Sequence, residues 1–159
     1  MNIWAIADLH LCLSNTDKTM EVFGDNWKDY IQRIKTNWEA KVLPTDLVLI
    51  AGDISWAKNF QDSLVDFDFI EKLPGKKVII KGNHDYWWPS LKKMHENLPP
   101  SIHVIQNNSF NIDEVSIAGA RLWDTDEYNF NEITVFKENP FKNESRELDI
   151  QENERIFKR

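Results

Sequence analysis

The chain has 159 residues, 42% apolar and 12% aromatic, with a net charge of −7. That length suits one domain with a real core, and the composition fits a globular protein rather than a disordered one. The acidic balance argues against a nucleic-acid partner, which needs a basic stripe, and the longest apolar runs fall far short of the roughly 20 residues of a membrane span.

Residues 2–7 read as a strand, apolar on both faces as in a sheet covered on both sides. No basic residue precedes this run, so it does not resemble a secretory signal. Residues 9–25 read as a long loop, with Ser14, Asn15, Asp17 and Gly24 as turn formers. Cys12, the single cysteine, lies in it; it is expected to be a small buried hydrophobe rather than a ligand. One cysteine allows no intramolecular disulfide and suits a reducing compartment, so the expected location is cytoplasmic.

A helix is predicted over 26–42, with Trp27, Ile31, Ile34, Trp38 and Val42 at helical spacing and Pro44 as its stop. Residues 46–51 form a second strand and 60–72 a second helix, with Phe60, Leu64, Phe67 and Ile70 facing inward. Pro74-Gly75 turns the chain into a third strand over 77–81, and Pro89 opens a helix over 89–97. Two further strands, 102–106 and 115–119, are separated by a turn at Asn107-Asn108. Alternating strands and helices indicate βαβ units and a largely parallel sheet.

The character changes after Asp124. Residues 124–159 are polar and acidic with scattered Phe, and a helix is expected only near 145–157. Such a segment builds no core of its own, so the expectation is one domain over 1–159 with a weakly structured end.

Chemistry collects where the apolar runs stop. In open α/β sheets, sites form beyond the carboxyl ends of the strands. The first run leads into Asp8-Leu9-His10, the second into Gly52-Asp53, and the third into Gly82-Asn83-His84-Asp85. Asp8 and His10 are two apart, which in extended backbone points both to one side, a two-toothed grip on a cation. Asp53 follows a glycine that permits close approach, and a carboxylate there can bridge two cations. Asn83 offers a neutral carbonyl oxygen. His84 can ligate, or stand outside the metals and protonate a leaving oxygen, and Asp85 is expected to orient it. Each group alone is also what an ordinary solvated turn carries; the same placement at three strand ends is what makes a metal site. Oxygen and imidazole donors without thiolate point to Mn, Fe, Zn or Mg.

These residues, in this order, resemble the first three motifs of the calcineurin-like metallophosphoesterases, over roughly residues 1–90. The surroundings Ile54-Ser55-Trp56-Ala57 and Tyr86-Trp87-Trp88 are similar to a bacterial branch of phosphohydrolases. The resemblance implies an α/β fold, a two-sheet sandwich flanked by helices, with two divalent metal ions. Asp8 and His10 would hold the first ion, Asp53 would bridge, Asn83 would hold the second, and His84 would act near the leaving group. The implied function is hydrolysis of a small phosphate mono- or diester by water attack.

The family pattern continues with a lone histidine and then Gly-His-x-His. Beyond Asp85 the chain has only His95 and His103, neither after a glycine and neither expected to ligate. The expectation is therefore the N-terminal part of a longer enzyme, lacking its C-terminal part. The alternative is a non-catalytic binding scaffold on the same fold, and a nuclease is disfavoured by the acidic balance. Trp56, Trp87 and Trp88 lie beside the motifs and are expected to pack in the core rather than stack on a substrate.

Overall fold

Four short apolar runs pair side by side in the computed structural model of the protein, which describes residues 1–14 and 19–120. Strands β1 (Ile3–Ile6), β2 (Leu47–Ile50), β3 (Lys76–Ile80) and β4 (Ile102–Ile105) form a parallel sheet in the order β1-β2-β3-β4. Helices α1 (Tyr30–Lys41), α2 (Phe60–Glu71) and α3 (Leu91–Asn97) make the three crossovers. Parallel crossovers are right-handed, so a sheet that always steps the same way carries all its helices on one face. Burial agrees. Trp38 of α1 and Val42 just past its end, Phe67 and Ile70 of α2 and Met94 of α3 share one core with Val48, Ile50, Ile79 and Val104.

The other face of the sheet meets a hairpin. Strands β5 (Asn108–Ile112) and β6 (Val115–Gly119) pair antiparallel, and Phe110, Ile112 and Ile117 pack against Leu47, Val78 and Ile105. The architecture is thus a parallel sheet between helices and an antiparallel sheet, as expected of a two-sheet sandwich. The expected turn at Asn107-Asn108 is only partly right. Asn107 turns the chain in the left-handed region at φ 59°, but Asn108 already begins β5. With polar Asn108, Ser109 and Asn111 around two apolar residues, β5 reads as loop. Its signal is alternation across Asp113-Glu114, a two-residue hairpin turn with Asp113 at φ 50°.

Helix α1 begins at Tyr30, not at Asn26, because Asp29 is left-handed at φ 52° and breaks the right-handed course. Before it run two short 3-10 turns, Met20–Phe23 and Asp25–Trp27. Asn59 caps α2 by accepting from the Asp62 N–H at 3.0 Å, and Ser90 caps α3, so Pro89 stands outside the helix it was expected to open. Lys77, wholly buried, donates through Nζ to the Leu73 carbonyl at 2.5 Å and the Glu71 carbonyl at 3.3 Å, covering the end of α2. Segment 124–159, with the helix expected near 145–157, lies outside the described residues.

Sheet register is what brings the strand ends together, and Asp46 sets it. Its buried carboxylate accepts from the N–H of Asn2 at 2.7 Å, the N–H of Leu43 at 3.0 Å and the Trp4 indole N–H at 3.0 Å. The start of β1 is thereby tied to the turn before β2, and Ile3 pairs with Leu47 and Ile6 with Ile50. The backbone N–H groups of Asn2 and Leu43, then the indole, hold this carboxyl well below its ordinary value of 3.8. A depressed folded-state pKa contributes stability that is present above the ordinary value and fades as pH falls through the folded one. We therefore expect Asp46→Asn to lower the thermal midpoint at pH 7, and the gap from wild type to shrink as pH drops below about 3.8, measured by circular dichroism melts across pH.

Candidate metal centre

Past its last sheet pairing, β1 does not leave β2. The Asp8 N–H donates to the Gly52 carbonyl at 3.1 Å, His10 to Asp53 at 2.9 Å and Leu11 to Ile54 at 2.9 Å, and Trp56 returns a bond to Leu11 at 2.8 Å. The two loops therefore continue as an irregular ladder, closed by a bridge between Leu11 and Ser55. Leu9 and Leu11 are fully buried, so residues 9–13 are core as much as loop.

The kinks in that ladder fall on the predicted site residues. Asp8, His10 and Asp53 are all left-handed, at φ 57°, 42° and 50°. The expected extended Asp8-x-His10 grip is thus corrected: the side chains converge through two left-handed residues, not along a strand. Non-glycine residues in this region cost about 1–2 kcal/mol each and persist where the surroundings hold them.

The third loop is pressed against the second. A Cβ on Gly52 would lie 2.6 Å from the Gly82 Cα, and one on Gly82 would lie 2.1 Å from both the Asp53 nitrogen and its Oδ1. In that space the His84 N–H donates to Asp53 Oδ1 at 2.9 Å. Asp53 Oδ2 faces the other way, 3.8 Å from His10 Nε2, which is also 3.8 Å from Asp8 Oδ1. One donor atom from each of Asp8, His10 and Asp53 lies within 4.8 Å of the others. Donors about 2.0–2.2 Å from a shared ion stand roughly 3–4 Å apart, so this set fits a divalent cation with little adjustment.

The centre is closed on one side and open on the other. Side-chain exposure is 8% for Asp53 and 10% for His10 but 63% for Asp8. Burial pushes the His10 pKa below its ordinary 6.5 and outweighs the pull of Asp53 and Asp8 in the other direction, which favours the neutral imidazole. The Trp56 indole N–H donates to His10 Nδ1, so the neutral ring carries its proton on Nε2, facing the two carboxylates in the position a cation would take. His84 is exposed, its ring centre 5.8 Å from that of His10. Asn83, also exposed, lies on the same loop, one residue past Gly82.

Asp85 has another task than orienting the His84 ring. It is fully buried; Oδ1 accepts from the N–H of Ile54 at 2.8 Å, of Ser55 at 3.3 Å and the Trp87 indole at 3.1 Å, and Oδ2 accepts from the Gly82 N–H at 2.8 Å. It binds the second loop to the third. Burial nonetheless pushes its pKa up against those bonds. Trp87 packs on Phe60 and Phe67 in the core as expected, whereas half-buried Trp56 stands beside His10 and exposed Phe23. His95 is exposed on α3 and His103 stacks on Phe110, both away from the cluster.

Sequence reasoning passed over three supporting residues, Tyr30, Ser55 and Asp66. The Tyr30 hydroxyl donates to the His10 carbonyl at 2.7 Å, and burial raises its pKa to about 12. Asp66 was visible as a signal: at i, i+3 and i+7, Ser63, Asp66 and Ile70 lie on the buried side of α2, and a carboxylate there needs a reason.

The family model for calcineurin-like phosphoesterases matches residues 1–158. The chain belongs to the calcineurin-like phosphoesterase family. Over 97 residues this phosphoesterase-family chain is 29% identical to the Gene 66 protein of Mycobacterium phage L5, a match covering 60% of this chain and 45% of that protein. The chain thus spans less than half the length of that curated relative. It is also similar to the crystal structure of AQ665, a protein of unknown function from Aquifex aeolicus, at 20% identity and a TM-score of 0.46 over 98% of this chain and 71% of that one. Among the described residues, no helix is long and apolar enough to cross a membrane.

Close approach of the second and third loops gives a direct test of this geometry. Gly82→Ala is expected to drive a methyl group into the Asp53 backbone and carboxylate, costing about 1–3 kcal/mol and separating the loops. Urea denaturation reads the loss; unchanged stability would mean that the loops are not packed this closely.

Proposed function

We propose that this chain is a metal-dependent phosphoesterase that hydrolyses phosphate mono- or diesters by water attack at a centre of two divalent ions. The observation that carries this reading is the convergence of Asp8, His10 and Asp53 on left-handed backbone at two adjacent strand ends, in a chain of this family. These three would hold one ion, with Asp53 shared with a second ion held also by Asn83. Oxygen and imidazole donors suit Mn, Fe, Zn or Mg. When bound, such ions neutralise phosphoryl oxygens and bring the pKa of a water toward neutrality.

The chain's own residues supply orientation and a proton. Asp53 Oδ1 is held by the His84 N–H, which keeps the carboxylate from swinging away and leaves Oδ2 toward His10. The His84 ring stands beside His10 on the exposed side, and we assign it the protonation of the leaving oxygen. Asp85 acts on the loop that carries His84, not on its ring.

The organic part of the substrate meets a rim of rings. Phe23, Trp56, His10, His84 and Tyr86 follow one another at centroid spacings of 6.2, 5.2, 5.8 and 6.1 Å, and Phe23 and Tyr86 are exposed. A small ester with a planar group suits this rim, whereas a net charge of −7 disfavours a nucleic-acid polymer. The single cysteine favours the cytoplasm as the compartment.

Asp53→Asn is expected to lose bound metal and hydrolysis together, because an amide lacks the charge that holds cations; elemental analysis and a chromogenic phosphate ester report the two. Wild-type occupancy and rate would remove Asp53 from the centre. Metal bound at full occupancy by the wild-type chain with no turnover of any ester would favour the scaffold instead.

His84→Ala is expected to keep its metal and lose about 10²–10⁴-fold in kcat, with a smaller loss for esters whose leaving group needs no proton. An equal loss for good and poor leaving groups would exclude the proton-donor role.

A further inference from the structure

We propose that Asp66 is a positioning residue for the metal centre, a buried carboxylate on α2 that pins the loop after β1 to the loop after β2. The proposal rests on the metal-dependent reading above, and it concerns residues that touch neither ion nor substrate.

Asp66 is fully buried in the middle of α2. Its Oδ1 accepts from the Leu13 N–H at 2.9 Å, and its Oδ2 accepts from the Ser55 hydroxyl. Leu13 lies three residues beyond His10, and Ser55 two beyond Asp53. One side chain therefore grips both site loops just past their ligands. Ser55 is fully buried too, and its hydroxyl oxygen accepts from the Ala57 N–H at 3.0 Å, so the pin extends into the second loop.

Stability alone does not account for an aspartate here. A buried carboxylate pays a desolvation cost that a well-packed apolar residue avoids, and burial raises the Asp66 pKa despite its two bonds. What the carboxylate adds is direction. Between Asp66 and the strand ends run the Leu11–Ser55 bridge and the left-handed turns at His10 and Asp53, conformations that relax unless both flanks are held. The strand ends hold one flank. On the other, Asp66 ties Leu13 to Ser55, while Tyr30 holds the His10 carbonyl and Asp85 holds the N–H groups of Ile54 and Ser55. Asp66 links the first loop to the second from a helix outside both, below the bond that Trp56 of the second loop makes to the His10 ring.

Asp66→Asn is the decisive variant. Its amide still accepts from Leu13, but it turns N–H groups toward Ser55, whose hydroxyl hydrogen then loses its acceptor. In the full 159-residue chain, with cooperative urea unfolding as proof of fold, Mn affinity measured by calorimetry is expected to fall about 10–100-fold. Amide hydrogen exchange at Leu11 and Leu13 should quicken about tenfold while β2 and β3 keep their protection. If Asp66→Asn does not fold, Ser55→Ala removes the same bond by deleting one hydroxyl, and the same two changes are expected. A folded variant with wild-type Mn affinity overturns the proposal, even if exchange quickens, because the pin would then be structural only. If the wild-type chain itself takes up no Mn, the metal-dependent reading fails; the pin is then judged by exchange, and unchanged exchange at Leu11 and Leu13 overturns it.

Discussion

The bond between the His10 N–H and the Asp53 carbonyl, 2.9 Å long, joins two residues that are both left-handed. Everything at the centre depends on that joint being held. Left-handed backbone at a residue with a side chain is unfavourable by about 1–2 kcal/mol, so it is found where neighbouring structure leaves no alternative. Here the alternatives are removed from two directions. The parallel sheet fixes the strand ends, and side chains from α1, α2 and the third loop fix the far ends of the loops. Asp8, His10 and Asp53 converge because their backbones are prevented from relaxing to extended forms.

Three buried carboxylates do most of that holding. Asp46 ties the start of β1 to the turn before β2, Asp66 ties the first loop to the second, and Asp85 ties the second to the third. Each accepts at least one backbone N–H, together with a hydroxyl or an indole N–H. Backbone donors in irregular loops lack the regular partners of a sheet, and a carboxylate oxygen can accept more than one of them. An acidic chain therefore uses some of its charge as joinery inside the fold, separately from the carboxylates of Asp8 and Asp53 at the candidate metal centre.

The division of faces serves the same end. Helices cover one side of the parallel sheet and the β5–β6 hairpin covers part of the other, so the carboxyl ends of the strands are the places where polar side chains gather without interrupting a core. Burial grades across that edge. Asp53 and His10 are enclosed, Asp8 is open, and His84 and Tyr86 are on the surface beside them.

From the amino-acid sequence alone came the parallel βαβ order, the strand-end positions of Asp8, Asp53 and Asn83, and the family. These are local matters: apolar runs of strand length, helical spacing, and polar residues directly after them. Less legible were β5, whose polar residues hide its alternation, and the start of α1, which depends on one left-handed residue at Asp29. Tertiary structure alone decided the loop geometry. Spacing suggested an extended Asp8-x-His10, yet the carbonyls of Gly52 and Asp53, some forty residues further on, draw the N–H groups of Asp8 and His10 into left-handed turns. It also moved Asp85 from a partner of His84 to a tie between loops, because the N–H groups it meets belong to Ile54 and Ser55. A hydrogen bond between segments distant in the chain leaves no period and no neighbour pattern in sequence, so its partners are set only when the sheet brings the strand ends side by side.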